Sequence, residues 1–411
     1  MKHNRYAGCR VSGTMPVTLY TLQLLTHQIK KEEDGMKVVV AIDSFKGSMT
    51  SMEAGNAAAE GIKRAHPDAE VNVKPLADGG EGTVDALVEG LGGDYVTARV
   101  KGPMGPFVTA RYGIMDDEVT AIMEMAQAGG IILVDRHDLD PWRANTEGVG
   151  EMIRNAIERG CRNFIIGIGG SATTEGGIGM LTALGYEFYD KKDRLLAPIF
   201  ENLGKIARIS ADNVLPELKD CHFQIACDVT NPLCGENGAI YVYGPQKGVR
   251  LDERVFMDSQ MHQFAEKTAE CFGVDHSNDP GAGAAGGLGF AFLSYFPNVE
   301  LRPGIRIVLD AVKFEDSLEG ADYVVTGEGR LDSQTANGKV PVGVARIAKQ
   351  YGAKVLAFAG GVTDDAGACN DEGIDAFFPI VRGVCTLDEA MDNFAAKRNM
   401  ALTTEQVFRL L

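Results

Sequence analysis

The sequence predicts an α/β protein of two dissimilar domains: one has a parallel sheet of the flavodoxin or Rossmann-like kind built from both chain ends, the other a mixed sheet inserted into it. Three observations lead there. Both ends alternate strand-like and helix-like segments cleanly, as at "KVVVAI" (37–42) and "KVLAFAGG" (354–361), whereas the middle mixes short alternating runs with helices. The 50 glycines make up about 12% of the chain, against an average near 7%. They cluster in loops after apolar runs, where a backbone must approach a ligand closely.

Taken in order, "KVVVAI" is continuous and β-branched, the pattern of a buried parallel strand. Thr50 with Glu53 three residues later reads as a capping box opening a helix through Lys63. "EVNVKPLA" alternates like a second strand, and "EGTVDALVEGL" reads as a helix. Between 95 and 126, "YVTARVKG", "VTARYGIM" and "VTAIMEMA" look like short antiparallel strands. A helix over 147–159 follows, then the strand "NFIIGIG", a Gly-rich turn and the helix "IGMLTALG". "FQIACDV" and "AIYVYGP" read as strands, and an amphipathic helix covers roughly 252–272. "DYVVTGEG" is the next strand, followed by a helix with Pro341 in its first turn and Gly352 closing it. The expected domains are 36–76 plus 290–411 for the parallel unit and 77–289 for the insertion. Residues 1–35 are expected to be a disordered extension: the run "MPVTLYTLQLL" is broken by threonines and no A-x-A site follows.

A net charge of −17 argues against nucleic acid or an anionic membrane as partner. Any anion site must then supply its own lysines, arginines and N–H groups. No segment after the extension is long and apolar enough to span a membrane. The eight cysteines contain no C-x-x-C pair, and the seven histidines no H-E-x-x-H. Reduced thiols in a cytoplasm, without zinc, is the expectation.

"NDPGAGAAGGLGF" contains Gly281-x-Gly283-x-x-Gly286, the letters of the dinucleotide fingerprint. The fingerprint requires a strand directly before it, and "FGVDHSNDP" is polar and turn-forming. An NAD-dependent oxidoreductase is thus disfavoured, and a Gly-rich turn at a helix N-terminus, suited to an anion, remains. Similar loops recur: "ADGGEGT" (77–83), "GGSATTEGG" (169–177) and "TGEGRLDSQTANGK" (326–339). In a parallel sheet such loops gather on one edge, where ligands bind. Lys46, Lys247 and Lys339 sit in Gly-containing loops, accompanied by Asp43, Asp78, Glu81, Asp228, Glu328 and Asp332. Lysines neutralise phosphate, carboxylates hold Mg²⁺, and a further carboxylate can take a proton from an alcohol. The spacing points to a nucleotide-dependent phosphotransferase.

Together "DSFKGS", "ADGGEGT", "GGSATTEGG", "CDVTNPLCG", "GPQKG", "GAGAAGGLG" and "TGEGRLDSQTANGK" resemble the type-1 glycerate kinase family, from Met36 to about Val381. The resemblance implies two dissimilar α/β domains with the active site between them, and transfer of phosphate from ATP with Mg²⁺ to D-glycerate, giving mainly 2-phosphoglycerate. Its alternative is 3-kinase regiochemistry. Glycerate and ATP are then the expected partners, in a cytoplasmic monomer or homodimer. A binding protein without turnover is the rival from another class, and the acids suited to a metal speak against it. Within these motifs, Asp43, Lys46, Asp78, Asp332 and Lys339 are the catalytic candidates, with Asp43, Asp78 or Asp332 as base. Asp228 or Glu328 would contact the metal. Substrate or nucleotide would meet Ser44, Gly79, Gly80, Glu81, Thr83, Gly169, Gly170, Ser171, Asn231 and Lys247. The same role falls to Gly281, Gly283, Gly286, Gly287, Gly327 and Arg330. Departures from the family pattern are Thr174-Glu175 where Asn-Asp is common, and Ala41-Ile42 before Asp43 where Ala-Pro is usual.

Overall fold

A computed structural model describes residues 35–411; the extension expected over 1–35 lies outside them except for Gly35. Five parallel strands form the first sheet, in the order β13-β12-β11-β1-β2. They are β1 (Lys37–Ile42), β2 (Glu70–Pro75), β11 (Tyr323–Leu331), β12 (Lys354–Val362) and β13 (Ala376–Pro379). β1 lies inside the sheet, between β11 and β2, and Val38 to Ile42 have no exposed surface, which explains its unbroken apolar run. The second sheet has six strands ordered β10-β9-β6-β5-β4-β3. Here β3 (Gly93–Lys101), β4 (Phe107–Met115) and β5 (Thr120–Glu124) pair antiparallel. β5, β6 (Asn163–Gly167), β9 (His222–Ala226) and β10 (Val299–Arg302) run parallel. A two-stranded ribbon joins β7 (Glu187–Tyr189) to β8 (Arg208–Ser210). The strands of the first sheet thus come from 37–75 and 323–379, and those of the second from 93–302.

One core packs the six-stranded sheet and its helices, including the helix Ala284–Tyr295. Two further cores cover the two faces of the parallel sheet. The helix Thr83–Leu91 belongs to the second of these through Val84, Leu87 and Val88, and that core also takes in Ile122 of β5. The helix therefore lies between the two sheets. Nearby, the chain passes between them twice, at Asp78–Gly79 and at Gly304. A Cβ on Gly304 would stand 2.0 Å from the Asp78 carbonyl oxygen and 2.7 Å from Gly79 Cα. Only glycine lets the two crossings lie this close.

The capping box is present: Glu53 N–H donates to Thr50 Oγ1 at 3.2 Å and Thr50 N–H to Glu53 Oε2 at 3.0 Å, opening the helix Ser51–Ala65. The C-terminal helix Asn393–Phe408 packs on it at Gly61, where a Cβ would meet the Ala401 carbonyl oxygen at 2.3 Å. One element differs from expectation. "AIYVYGP" is not a strand but a short helix, Ala239–Tyr243, followed by a 3-10 turn at Pro245–Lys247. Burial of Ala239 and Ile240, and a 2.6 Å hydrogen bond from the Tyr243 hydroxyl to Asn231 Oδ1, hold it there against its β propensity. Among the described residues no helix is long and apolar enough to cross a membrane.

Candidate functional site

The carboxyl ends of β1, β2, β11 and β12 enclose a cavity of about 820 Å³. Asp43, Ser44, Lys46, Asp78, Glu328, Arg330, Asp332 and Lys339 all line it. Asp43 follows β1 directly; its N–H donates to the Gly327 carbonyl at 3.0 Å and its Oδ1 accepts from Ser44 N–H at 2.6 Å. Only 7% of Asp43 is exposed. Burial, then the charge of Asp78 and that of Glu328, push its carboxyl up to about 7, against the Ser44 hydrogen bond and Lys46. Burial likewise raises Glu328, opposed by the Thr335 hydroxyl that donates to its Oε1 at 2.5 Å and by the charge of Lys339. Asp332 is tied into its own turn: its Oδ1 accepts from Gln334 N–H at 3.0 Å and Thr335 N–H at 3.3 Å. Lys339 is the exposed N-cap of the helix Val340–Ala348.

A smaller cavity, about 300 Å³, opens at the carboxyl ends of β6 and β9. Asp78, Gly79, Gly80, Gly169, Gly170, Ser171, Asp228 and Lys247 line it, so Asp78 borders both cavities. Asp78 keeps one oxygen on Gly80 N–H at 2.8 Å. Asp228 Oδ1 accepts from Gly304 N–H at 2.9 Å, which ties this edge to the second crossing between the sheets. Lys247, expected to meet substrate or nucleotide, is 2% exposed. Its ammonium donates to Ser171 Oγ at 2.6 Å and to the Thr173 carbonyl at 2.7 Å.

Other sequence candidates fall elsewhere. Glu81 lines a depression of about 390 Å³ with Ser44 and Lys46. Thr83 is buried, its hydroxyl donating to the Gly80 carbonyl at 2.8 Å. Asn231 accepts from Tyr243 and donates to the Asn237 carbonyl at 2.8 Å. Gly327 is a packing position, where a Cβ would meet the Phe358 carbonyl oxygen at 2.1 Å. Gly281, Gly283, Gly286 and Gly287 line none of these cavities. A Cβ would stand 2.2 Å from the Pro232 carbonyl oxygen at Gly283 and 2.1 Å from that of Thr173 at Gly286. Their smallness serves close packing, while Ala284 and Ala285 face the smaller cavity. No strand directly precedes Gly281. β9 ends at Ala226 and the helix Arg254–Phe272 intervenes, so the setting of a dinucleotide fingerprint is absent.

Sequence reasoning missed the apolar wall of the larger cavity, made by Phe45, Ile380, Val381, Leu387, Ala390 and Met391. Its signal was a second capping box, Thr386 with Glu389, opening the helix Leu387–Met391. It also missed Glu124, whose buried carboxylate accepts from Gly82 and Val84 N–H at 3.0 and 3.1 Å and braces the turn after Asp78. Among the described residues, no group of three or more His, Cys, Asp or Glu side chains could hold a metal ion unaided.

The sequence pattern of a family described as "Glycerate kinase family" matches residues 38–411. The chain is 43% identical over 373 residues to the glycerate 2-kinase of Escherichia coli K12, covering 90% of this chain and 98% of that one. It is 42% identical over 376 residues to the glycerate kinase of Haemophilus influenzae, covering 92% and 99%. Its fold superposes on the crystal structure of a candidate glycerate kinase 2 from Salmonella typhimurium LT2 with a TM-score of 0.84 at 42% identity, covering 91% of this chain and 97% of that one.

Proposed function

Because the chain belongs to the glycerate kinase family, and because Asp78 borders two cavities of unequal size, we propose that it transfers the γ-phosphoryl group of ATP to D-glycerate, giving 2-phosphoglycerate. The shared border carries the reading: phosphoryl transfer needs two ligands held in line on either side of one reacting centre. ATP suits the larger cavity, whose apolar wall of Phe45, Ile380, Leu387 and Met391 can cover a base while Lys46 and Lys339 meet phosphate. Glycerate suits the smaller one. Asp78, between them, accepts the proton of the attacking hydroxyl.

Mg²⁺ fits this edge through its donor chemistry. Asp43 and Glu328 are hard oxygen donors beside Asp78, and each is pushed up first by burial and then by its acidic neighbours. Mg²⁺ is usually held by one or two carboxylates completed by phosphate and water, so a closed protein cage is not required. Asp43 and Glu328 would hold it, and the ion would neutralise charge on the transferring phosphoryl group. Asp228 has one oxygen engaged by Gly304 and borders only the smaller cavity, which suits it to bracing. The site of action proposed is the cytoplasm, where the cysteines of the described residues stay free as seen here, in a monomer or homodimer. Phosphorus NMR of the product from ATP and D-glycerate tests the reading. A resonance of 2-phosphoglycerate is expected; phosphate on the terminal hydroxyl would overturn the regiochemistry, and absence of ADP formation the whole reading.

A further inference from the structure

The wall of the smaller cavity holds a buried lysine, Lys247, to which the roles above give no task. Glu175, whose charge bears on Lys247, has no exposed surface, and burial raises its carboxyl. Its Oε1 accepts from Thr146 N–H at 2.9 Å, from the Thr146 hydroxyl at 2.5 Å and from Gly179 N–H at 3.3 Å. Its Oε2 has no hydrogen-bond partner, nor has the buried Thr173 Oγ1. An ammonium carries three donors and no acceptor. Ser171 Oγ, 2.6 Å from Lys247 Nζ, must therefore receive that bond and aim its own proton elsewhere. Among the described residues that proton meets no acceptor. Ser171 nevertheless lines the cavity, next to the exposed glycines Gly169 and Gly170.

We propose that Lys247 is a positioning residue that fixes the Ser171 hydroxyl as a donor into the smaller cavity, where it binds the carboxylate of the hydroxy acid. This rests on the placement of glycerate in that cavity. Burial lowers the Lys247 ammonium to about 7 while Glu175 supports its charge; an anion arriving in the cavity favours the charged form further. Ser171 is then the contact, and the Lys247–Glu175 pair holds its orientation without touching substrate. An anionic phosphoryl oxygen shares this chemistry, and the two ligands separate kinetically.

Steady-state kinetics with each substrate varied provides the test. Ser171→Ala is expected to raise the KM for glycerate about 10- to 100-fold, the loss of one hydrogen bond to a charged group, with the KM for ATP unchanged. Lys247→Met should raise the same KM, and the double variant should be no worse than the weaker single one, because both changes remove one contact. If Lys247→Met does not fold, Lys247→Met with Glu175→Gln removes both buried charges and takes its place. A rise in the KM for ATP instead, or effects that multiply, would overturn the positioning role while wild-type turnover of glycerate stands. No glycerate turnover by the wild type would overturn the underlying placement.

Discussion

Three aspartates of the cleft carry the same functional group and meet different surroundings. Asp332 has one oxygen closed by two N–H groups of its own turn and the other 3.6 Å from Arg330 Nε, whereas Asp78, bordering both cavities, has only the oxygen that accepts from Gly80 N–H engaged. Asp78→Asn should therefore lower kcat by about 10²- to 10⁴-fold with both KM values nearly intact, and Asp332→Asn should cost less. The reverse order in a coupled ADP assay would move the base to Asp332. Asp43 is held up to about 7 from 3.8. Between those values the unfolded chain ionises while the folded chain keeps its proton. The stability its neutral form contributes is thus present at acid pH and lost as pH rises through about 7. Mg²⁺ and nucleotide should reverse that preference and expel the proton. Calorimetry of MgATP binding at pH 6.5, in buffers of different ionisation enthalpy, should show proton release by the wild type and none by Asp43→Asn. Equal release by both would remove Asp43 from the metal site. These differences were invisible in the sequence, where each aspartate follows a strand and only burial tells them apart.

At the scale of elements, legibility followed local chemistry. Thr50 and Glu53 announced their helix because both halves of a capping box lie within four residues. β1 was legible because burial on both faces demands an unbroken apolar run. "AIYVY" was not, because its conformation is set by partners distant in sequence. The glycines of "GAGAAGGLG" suggested anion binding, and the structure shows them closely packed, since a short stretch of small residues has the same letters in both roles. Gly61 illustrates how tightly the helices are fitted. With a Cβ only 2.3 Å from the Ala401 carbonyl oxygen, Gly61→Ala must push the C-terminal helix away despite its better helix propensity. A loss of about 1–3 kcal/mol in urea unfolding is expected, while a gain would mean that the C-terminal helix is free to shift.

Taken whole, the molecule opens one cavity at the carboxyl ends of each large sheet, with Asp78 bordering both. The sequence motifs foretold which loops would lie at strand ends. They could not foretell that the loops divide between two edges, because that depends on how the insertion docks. The same topology governs the order in which the protein can be made. Val38 of β1 pairs with Tyr323 of β11, so β1 must wait for its partner on that side until residue 323 has been made. The six-stranded sheet, by contrast, is complete once Arg302 has emerged. During synthesis the middle can therefore fold first, while "KVVVAI" lies open with its only early neighbour in β2. A ribosome-bound nascent chain whose emerged portion ends near residue 320 should thus resist protease over 93–302 and be cut within 37–75. Protection of both regions at that length would show that the first two strands find shelter before their central partner exists. Such a delay makes the amino-terminal strand a natural client for chaperones that hold apolar segments until late in translation.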